Sequence, residues 1–261
     1  MIEVKNLSKN FGNVQAVRNV TFKVNEGDIV GFIGPNGAGK STTMKLLTGF
    51  LYPSSGEALI CGQNVVKNPT NCKMQIGYSP ENAPLYEDMT VTEYLTFIAE
   101  VRGIETEKIP LAMSKVIKMC SLGTVVNLPI DHLSKGFRRR VSIAQALIHN
   151  PKVLILDEPT DGLDPNQKYE IRKLIKNLAF NKAVILSTHI LDEVEAVCNR
   201  VVIISQGQIR FDGIPEQLKL NSKDGNIESI FRAITLGFNI DGSLPPPLIN
   251  KELNTVERRV E

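Results

Sequence analysis

The densest chemistry in the chain lies in eight consecutive residues, Gly34-Pro35-Asn36-Gly37-Ala38-Gly39-Lys40-Ser41. They fit the spacing G-x-x-x-x-G-K-[ST], a loop whose backbone N–H groups converge on phosphate oxygens. Glycines at 34, 37 and 39 permit backbone dihedrals that side chains forbid. The helix expected over Ser41–Thr48 adds the positive end of its dipole, with Thr42 in its first turn beside the phosphates. Lys40 is then placed for the β- and γ-phosphates and the Ser41 hydroxyl for a Mg²⁺ ion. A second centre is Val153-Leu154-Ile155-Leu156-Asp157-Glu158, an apolar strand that ends in two carboxylates. Asp157 is positioned to hold the Mg²⁺ shell, and Glu158 to polarise a water for in-line attack. A guanine-reading N-K-x-D is not completed, because Asn181-Lys182-Ala183-Val184 ends in valine.

These residues need elements to hold them. Ile2–Val24 reads as antiparallel strands with one solvated face, joined by a further strand at Glu57–Cys61. The phosphate loop follows a buried strand, and Gln75–Tyr78 is a short strand that ends in a loop, Ser79–Asp88, broken by Pro80 and Pro84. Between about 82 and 150 the pattern turns helical. Thr90 and Glu93 open one helix with capping-box spacing, a second spans about Thr106 to Cys120, and a third starts after Ser134 and stops at Asn150-Pro151. Strands at Val153–Leu156, Ala183–Leu186 and Val201–Ile204 then alternate with helices at Gln167–Leu178 and around Leu191, Val194 and Val197. Continuous apolar strands separated by helices imply a parallel sheet covered on both faces. The expected fold is α/β, with a P-loop nucleotide-binding core, an N-terminal antiparallel β-subdomain and an inserted helical subdomain. One domain over 1–236 is followed by a tail at 237–261, where Pro245-Pro246-Pro247 and a charged end give the composition of a disordered segment.

Composition narrows the function. The 261 residues are 42% hydrophobic and 22% charged, a globular balance, and a net charge of +2 is too small to argue for a nucleic-acid or membrane-surface partner. Arg138-Arg139-Arg140 lacks interleaved aromatic residues and reads as a solvated helix face. Cys61, Cys72, Cys120 and Cys198 have neither disulfide nor zinc spacing and read as thiols of a reducing cytosol; His132 and His149 read as structural. No targeting segment opens the chain and no apolar run spans a bilayer.

Leu133-Ser134-Lys135-Gly136-Phe137 opens the third helix of the insert, and here the sequence resembles the ATP-binding subunits of ABC transporters, whose signature reads LSGGQ. The resemblance extends to about Leu236. It makes Asp161-Gly162-Leu163-Asp164 the D-loop, His189 the switch histidine and Phe11 the aromatic that stacks on adenine. It implies ATP and Mg²⁺ as ligands, and a head-to-tail pair of subunits in which Ser134 and Gly136 of one chain close on the γ-phosphate held by the other. Glu158 and His189 then act at that phosphate. The resemblance further implies separate membrane-spanning permease subunits, attachment to the cytoplasmic face of the membrane through them, and no direct contact with cargo or nucleic acid.

Four positions depart from the family pattern. Lys135 stands for glycine and Phe137 for glutamine in the signature; Glu81 stands for the Q-loop glutamine, where it can still ligate Mg²⁺; Asp161 stands for serine at the start of the D-loop. The subgroup most resembled serves ABC-2 type exporters for drugs, polysaccharides or gliding motility. The competing reading, an ABC-type ATPase acting on ribosomes or DNA, goes with tandem ATP domains or coiled-coil inserts, and neither is found in this sequence. A regulatory module without hydrolysis is opposed by intact Lys40, Asp157, Glu158 and His189.

Overall fold

A computed structural model describes residues 1–220, 227–236 and 248–249. In chain order the elements are β1 (Ile2–Phe11), β2 (Val14–Val24), β3 (Ile29–Ile33), α1 (Lys40–Leu47), β4 (Ser55–Ile60), β5 (Gln63–Asn64), α2 (Pro69–Gln75) and β6 (Ile76–Ser79). The helical insert supplies α3 (Val91–Val101), α4 (Ile109–Met119) and α5 (Lys135–Leu147). Then come β7 (Val153–Asp157), α6 (Pro165–Leu178), β8 (Ala183–Thr188), α7 (Leu191–Val197), β9 (Arg200–Ser205), β10 (Gln208–Gly213), α8 (Pro215–Leu220), α9 (Ile227–Leu236) and β11 (Leu248–Ile249).

The strands form two sheets. One has the order β2-β1-β4-β5 and is antiparallel; the other has the order β11-β10-β9-β3-β8-β7-β6. Strands β9, β3, β8, β7 and β6 run parallel, and β10 turns back antiparallel on β9. The expected α/β core with its antiparallel subdomain and helical insert is present, and the antiparallel β10 makes the large sheet mixed. Of the tail at 237–261, Leu248–Ile249 pairs in parallel with β10; the rest lies outside the described residues.

Every residue of β3, β7 and β8 is buried, so side chains that alternate along a strand must enter two different cores. Val30, Phe32, Val153, Ile155 and Ile185 pack with α1 and the antiparallel sheet. Ile29, Ile33, Leu154, Leu156 and Leu186 pack with the insert and the later helices. Thr90 forms the expected capping box, accepting from the Glu93 N–H at 3.2 Å while the Glu93 carboxylate accepts the Thr90 N–H at 2.8 Å. Helix α2 was not legible beforehand, because its only buried side chain is Cys72 and it carries no apolar stripe. All four cysteines are free thiols, and burial pushes Cys120 and Cys198 up to about 12.

Strand β6 is the free edge of the large sheet, and α5 covers it. The carbonyls of Ile76, Tyr78 and Pro80 accept from His149 Nε2 (3.1 Å), Gln145 Nε2 (2.7 Å) and Arg139 Nη1 (3.0 Å). Between them the Ser79 and Ser142 hydroxyls bond at 2.7 Å. Hence Arg138-Arg139-Arg140 is not a solvated face. Arg139 is buried on β6, Arg138 pairs with Glu87 at 3.0 Å, and Arg140 lies over the Phe137 ring at 5.8 Å.

Burial, with nearby Arg102 adding to it, pushes His149 down to about 4 from 6.5 despite the Ile76 bond. In that window the unfolded chain binds a proton that the native imidazole refuses, so stability falls as pH drops from about 6.5 toward 4. We expect the urea midpoint to fall less between about pH 7 and pH 5 in His149→Gln than in the parent chain. Equal slopes would remove His149 from the acid response.

Candidate active site

The site lies at the carboxyl ends of adjacent parallel strands, where open α/β sheets place their ligands. In sheet order β3 leads into the phosphate loop, β8 into His189, β7 into Glu158 and β6 into Glu81. Register aligns these exits: Ile33 pairs with Thr188, Asp157 with Ser187, and Ser79 with Leu156. A cavity of about 380 Å³ results, lined by Pro35 through Thr42 together with Ala16, Glu81, Glu158, Asp161 and His189. Residues 120 or more apart in sequence meet here because the sheet interleaves its strands.

Gly39 has φ +109, and a β-carbon there would come within 2.5 Å of the Ala16 carbonyl, so the loop requires glycine for both dihedral and space. Helix α1 begins at Lys40 with no side-chain cap and no acidic residue in its first turn. Its first N–H groups and dipole therefore face the loop without a protein anion, the arrangement that binds phosphate. Lys40 is buried and donates to the Gly34 carbonyl at 2.7 Å and the Pro35 carbonyl at 3.2 Å. Burial lowers its pKa, while Glu158, Asp157 and Glu81 act to hold its proton.

The turn after β7 separates the two carboxylates. Glu158 adopts a left-handed conformation (φ +47), a strained choice for this residue, with its N–H on the Ser187 carbonyl at 2.8 Å. Asp157 thereby stays beneath the cavity while Glu158 forms its wall. One Glu158 oxygen lies 3.0 Å from His189 Nδ1; the other, Oε2, has no hydrogen-bond partner among the described residues. Asp157 Oδ1 is likewise unpartnered, and burial pushes its carboxyl up, offset in part by the Ser187 hydroxyl. Unpartnered carboxylate oxygen beside Ser41 and Glu81 is a donor set suited to a hard cation. Among the described residues no group of three or more His, Cys, Asp or Glu side chains is placed to hold a metal ion.

Other expected site residues lie apart. Phe11 is half-exposed at the end of β1 with Lys9 over its ring at 5.2 Å, and it does not line the cavity. Nor do Ser134, Lys135, Gly136 and Phe137: this helix start does not face the chain's own phosphate loop. Ser134 caps α5, accepting from the Phe137 N–H at 3.4 Å. Asp164 caps α6, accepting from the Gln167 N–H at 2.9 Å, and Leu163 is buried. Two residues near the site gave no sequence signal. Arg139 is buried with Asp161 as its strongest attracting carboxylate, then Glu81. Glu193 of α7 is buried, and burial pushes its carboxyl up.

The family model described as ABC transporter matches residues 17–161. An uncharacterized ABC transporter ATP-binding protein of Bacillus subtilis, YxlF, is 37% identical over 219 residues, covering 84% of this chain and 72% of that protein. The Nod factor export ATP-binding protein I of Cupriavidus metallidurans is 33% identical over 219 residues, covering 84% of this chain and 72% of its own. Among solved structures, the dimeric post-hydrolysis state of the ATP-binding cassette MJ0796, bound to ADP and Pi, superposes with a TM-score of 0.74 at 26% identity. That match covers 82% of this chain and 98% of the other.

Proposed function

The chain belongs to the ABC transporter family as an ATP-hydrolysing, energy-coupling subunit, and we propose that two copies pair head to tail on membrane-spanning permease subunits to drive export. The observation that carries this reading is the cavity at the strand ends, where a complete phosphate loop faces Glu158 and His189. Residues 34–42 bind the triphosphate, with Lys40 exchanging its loop carbonyls for phosphate oxygens. Ser41, Asp157 and Glu81 would hold Mg²⁺, which when bound neutralises phosphate charge. Glu158 orients a water and takes its proton, and His189 holds the carboxylate toward the γ-phosphate. The start of α5, with Ser134 and Gly136, closes the partner's site through its N–H groups, and Leu163 and Asp164 shape that contact. Phe11 stacks on the adenine from the β1–β2 turn. Export is supported by the Nod factor relative's name. Among the described residues no helix is long and apolar enough to cross a membrane.

The permease contact is assigned to a groove of about 520 Å³ between core and insert, lined by Phe50, Pro84, Tyr86, Tyr94 and Phe97 among others. Tyr86 is 54% exposed and stands edge-on to Phe97, centroids 5.5 Å apart. Leu85, beside it in sequence, is partly buried against the core. An exposed aromatic in an apolar groove is the residue type that anchors a partner. Tyr86→Glu is therefore expected to abolish co-purification with a permease encoded beside this chain, with melting temperature and ATP binding unchanged. Normal co-purification, or a loss matched by a lower melting temperature, would refute the assignment.

A further inference from the structure

We propose that Lys135 and Asp161 act as a positioning pair: the ammonium at the head of α5 holds the loop after β7, and with it the turn that sets Glu158, in register with the helical insert. This deepens the ATPase reading and rests on it.

A lysine in the first position of a helix opposes the helix dipole, and α5 has no acidic residue in its first turn to answer it. The anion comes instead from across the fold, with Lys135 Nζ 3.9 Å from Asp161 Oδ2. The lysine also lies over the next residue. A β-carbon at Gly162, which has φ +65, would run into the Lys135 ammonium and come within 3.0 Å of its Cε. On the other flank of the helix start, a β-carbon at Gly136 would approach the Gln167 amide carbon to 2.7 Å. The first turn of α5 is thus seated on both ends of the segment from Asp161 to Gln167.

One turn further along the same helix face, Arg139 is buried and tied to the Pro80 carbonyl, drawn by Asp161 first and by Glu81 second. Asp161 therefore faces two basic residues of α5, Lys135 at its head and Arg139 one turn on, and Glu81 adds to the second. Three departures from the family pattern, Lys135, Asp161 and Glu81, become one arrangement of complementary charge. The link to chemistry is short: the Asp161 N–H donates to the Glu158 carbonyl at 3.3 Å, and Glu158 meets His189. With side chains 60% and 44% exposed, the pair contributes little to stability, so its effect is on placement.

The test compares the full-length chain with Lys135→Ala, Asp161→Ala, Lys135→Arg and the exchange Lys135→Asp with Asp161→Lys. Each alanine variant is expected to lose about tenfold in kcat with KM for ATP within about twofold, while Lys135→Arg and the exchange recover most of the loss. Raising salt from about 50 to about 500 mM is expected to bring the parent toward the alanine variants. Amide exchange over residues 158–163 is read in parallel without nucleotide, and is expected to quicken in both alanine variants. Parental kcat and exchange in those variants, or an exchanged pair as slow as they are, would overturn the pairing. A parent chain that hydrolyses no ATP would refute the ATPase reading instead, and amide exchange would then decide the pairing alone.

Discussion

A Lys40→Ala chain is expected to lose hydrolysis by about 10³-fold or more and to bind ATP visibly more weakly. The reason lies in how the lysine is held. Its ammonium is buried against two loop carbonyls and is drawn by three carboxylates, so it is a cation stored inside the loop rather than a surface charge. Burial makes that charge expensive, and the attraction of Glu158, Asp157 and Glu81 opposes its loss. A triphosphate entering the loop replaces carbonyl oxygens with far better acceptors. Alanine removes this gain and leaves the acids facing the phosphates uncompensated. Isothermal titration with ATP and a steady-state assay check both parts. Affinity and turnover near those of the parent would end the assignment of this loop to phosphate.

What sequence reveals here follows the range of the interaction. The phosphate loop is legible because its glycines, lysine and serine are contiguous and each acts through the local backbone. The same holds for Asp157 and Glu158 at the end of an apolar strand, and for the capping box of Thr90 and Glu93. Arg139 was misread because a run of three arginines carries no mark of which face meets β6, and its Pro80 partner is 59 residues away. Leu85 and Tyr86 are adjacent and both apolar in character, and no local pattern tells that Leu85 is partly buried against the core while Tyr86 stays exposed beside Tyr94 and Phe97. The same limit hides the answer to Lys135, which in sequence is an isolated departure from glycine. Its partner, Asp161, had been noted as a separate departure, and no local pattern joins the two.

The acids of the site also divide by environment. Asp157 is buried, so its carboxyl is pushed up, and its Oδ1 has no hydrogen-bond partner among the described residues. Neutralising that oxygen by a metal removes the cost that burial imposes, which couples metal and nucleotide binding to the stability of the strand end.

Glu158→Gln is expected to leave ATP binding intact while slowing turnover by about 10² to 10⁴. Glutamine keeps the shape and the hydrogen-bonding reach of the side chain, so the contact with His189, 3.0 Å from Oε1, can persist. The left-handed backbone at this position is also unchanged, and with it the turn that carries Asp161. Lost instead is the capacity of Oε2, unpartnered at the cavity wall, to accept a proton from water. Lys40 and the rest of the phosphate loop are untouched, so the reaction is expected to stop with ATP in place. If ATP is the adhesive between two copies, a chain that binds and does not hydrolyse it accumulates as a dimer. Size-exclusion chromatography with Mg²⁺-ATP should show that dimer for Glu158→Gln, and Lys40→Ala should remain monomeric under the same conditions. Turnover unchanged in Glu158→Gln would take the proton-accepting role away from this residue. Slowed turnover without a dimer would leave the role standing and refute ATP as the bond between copies.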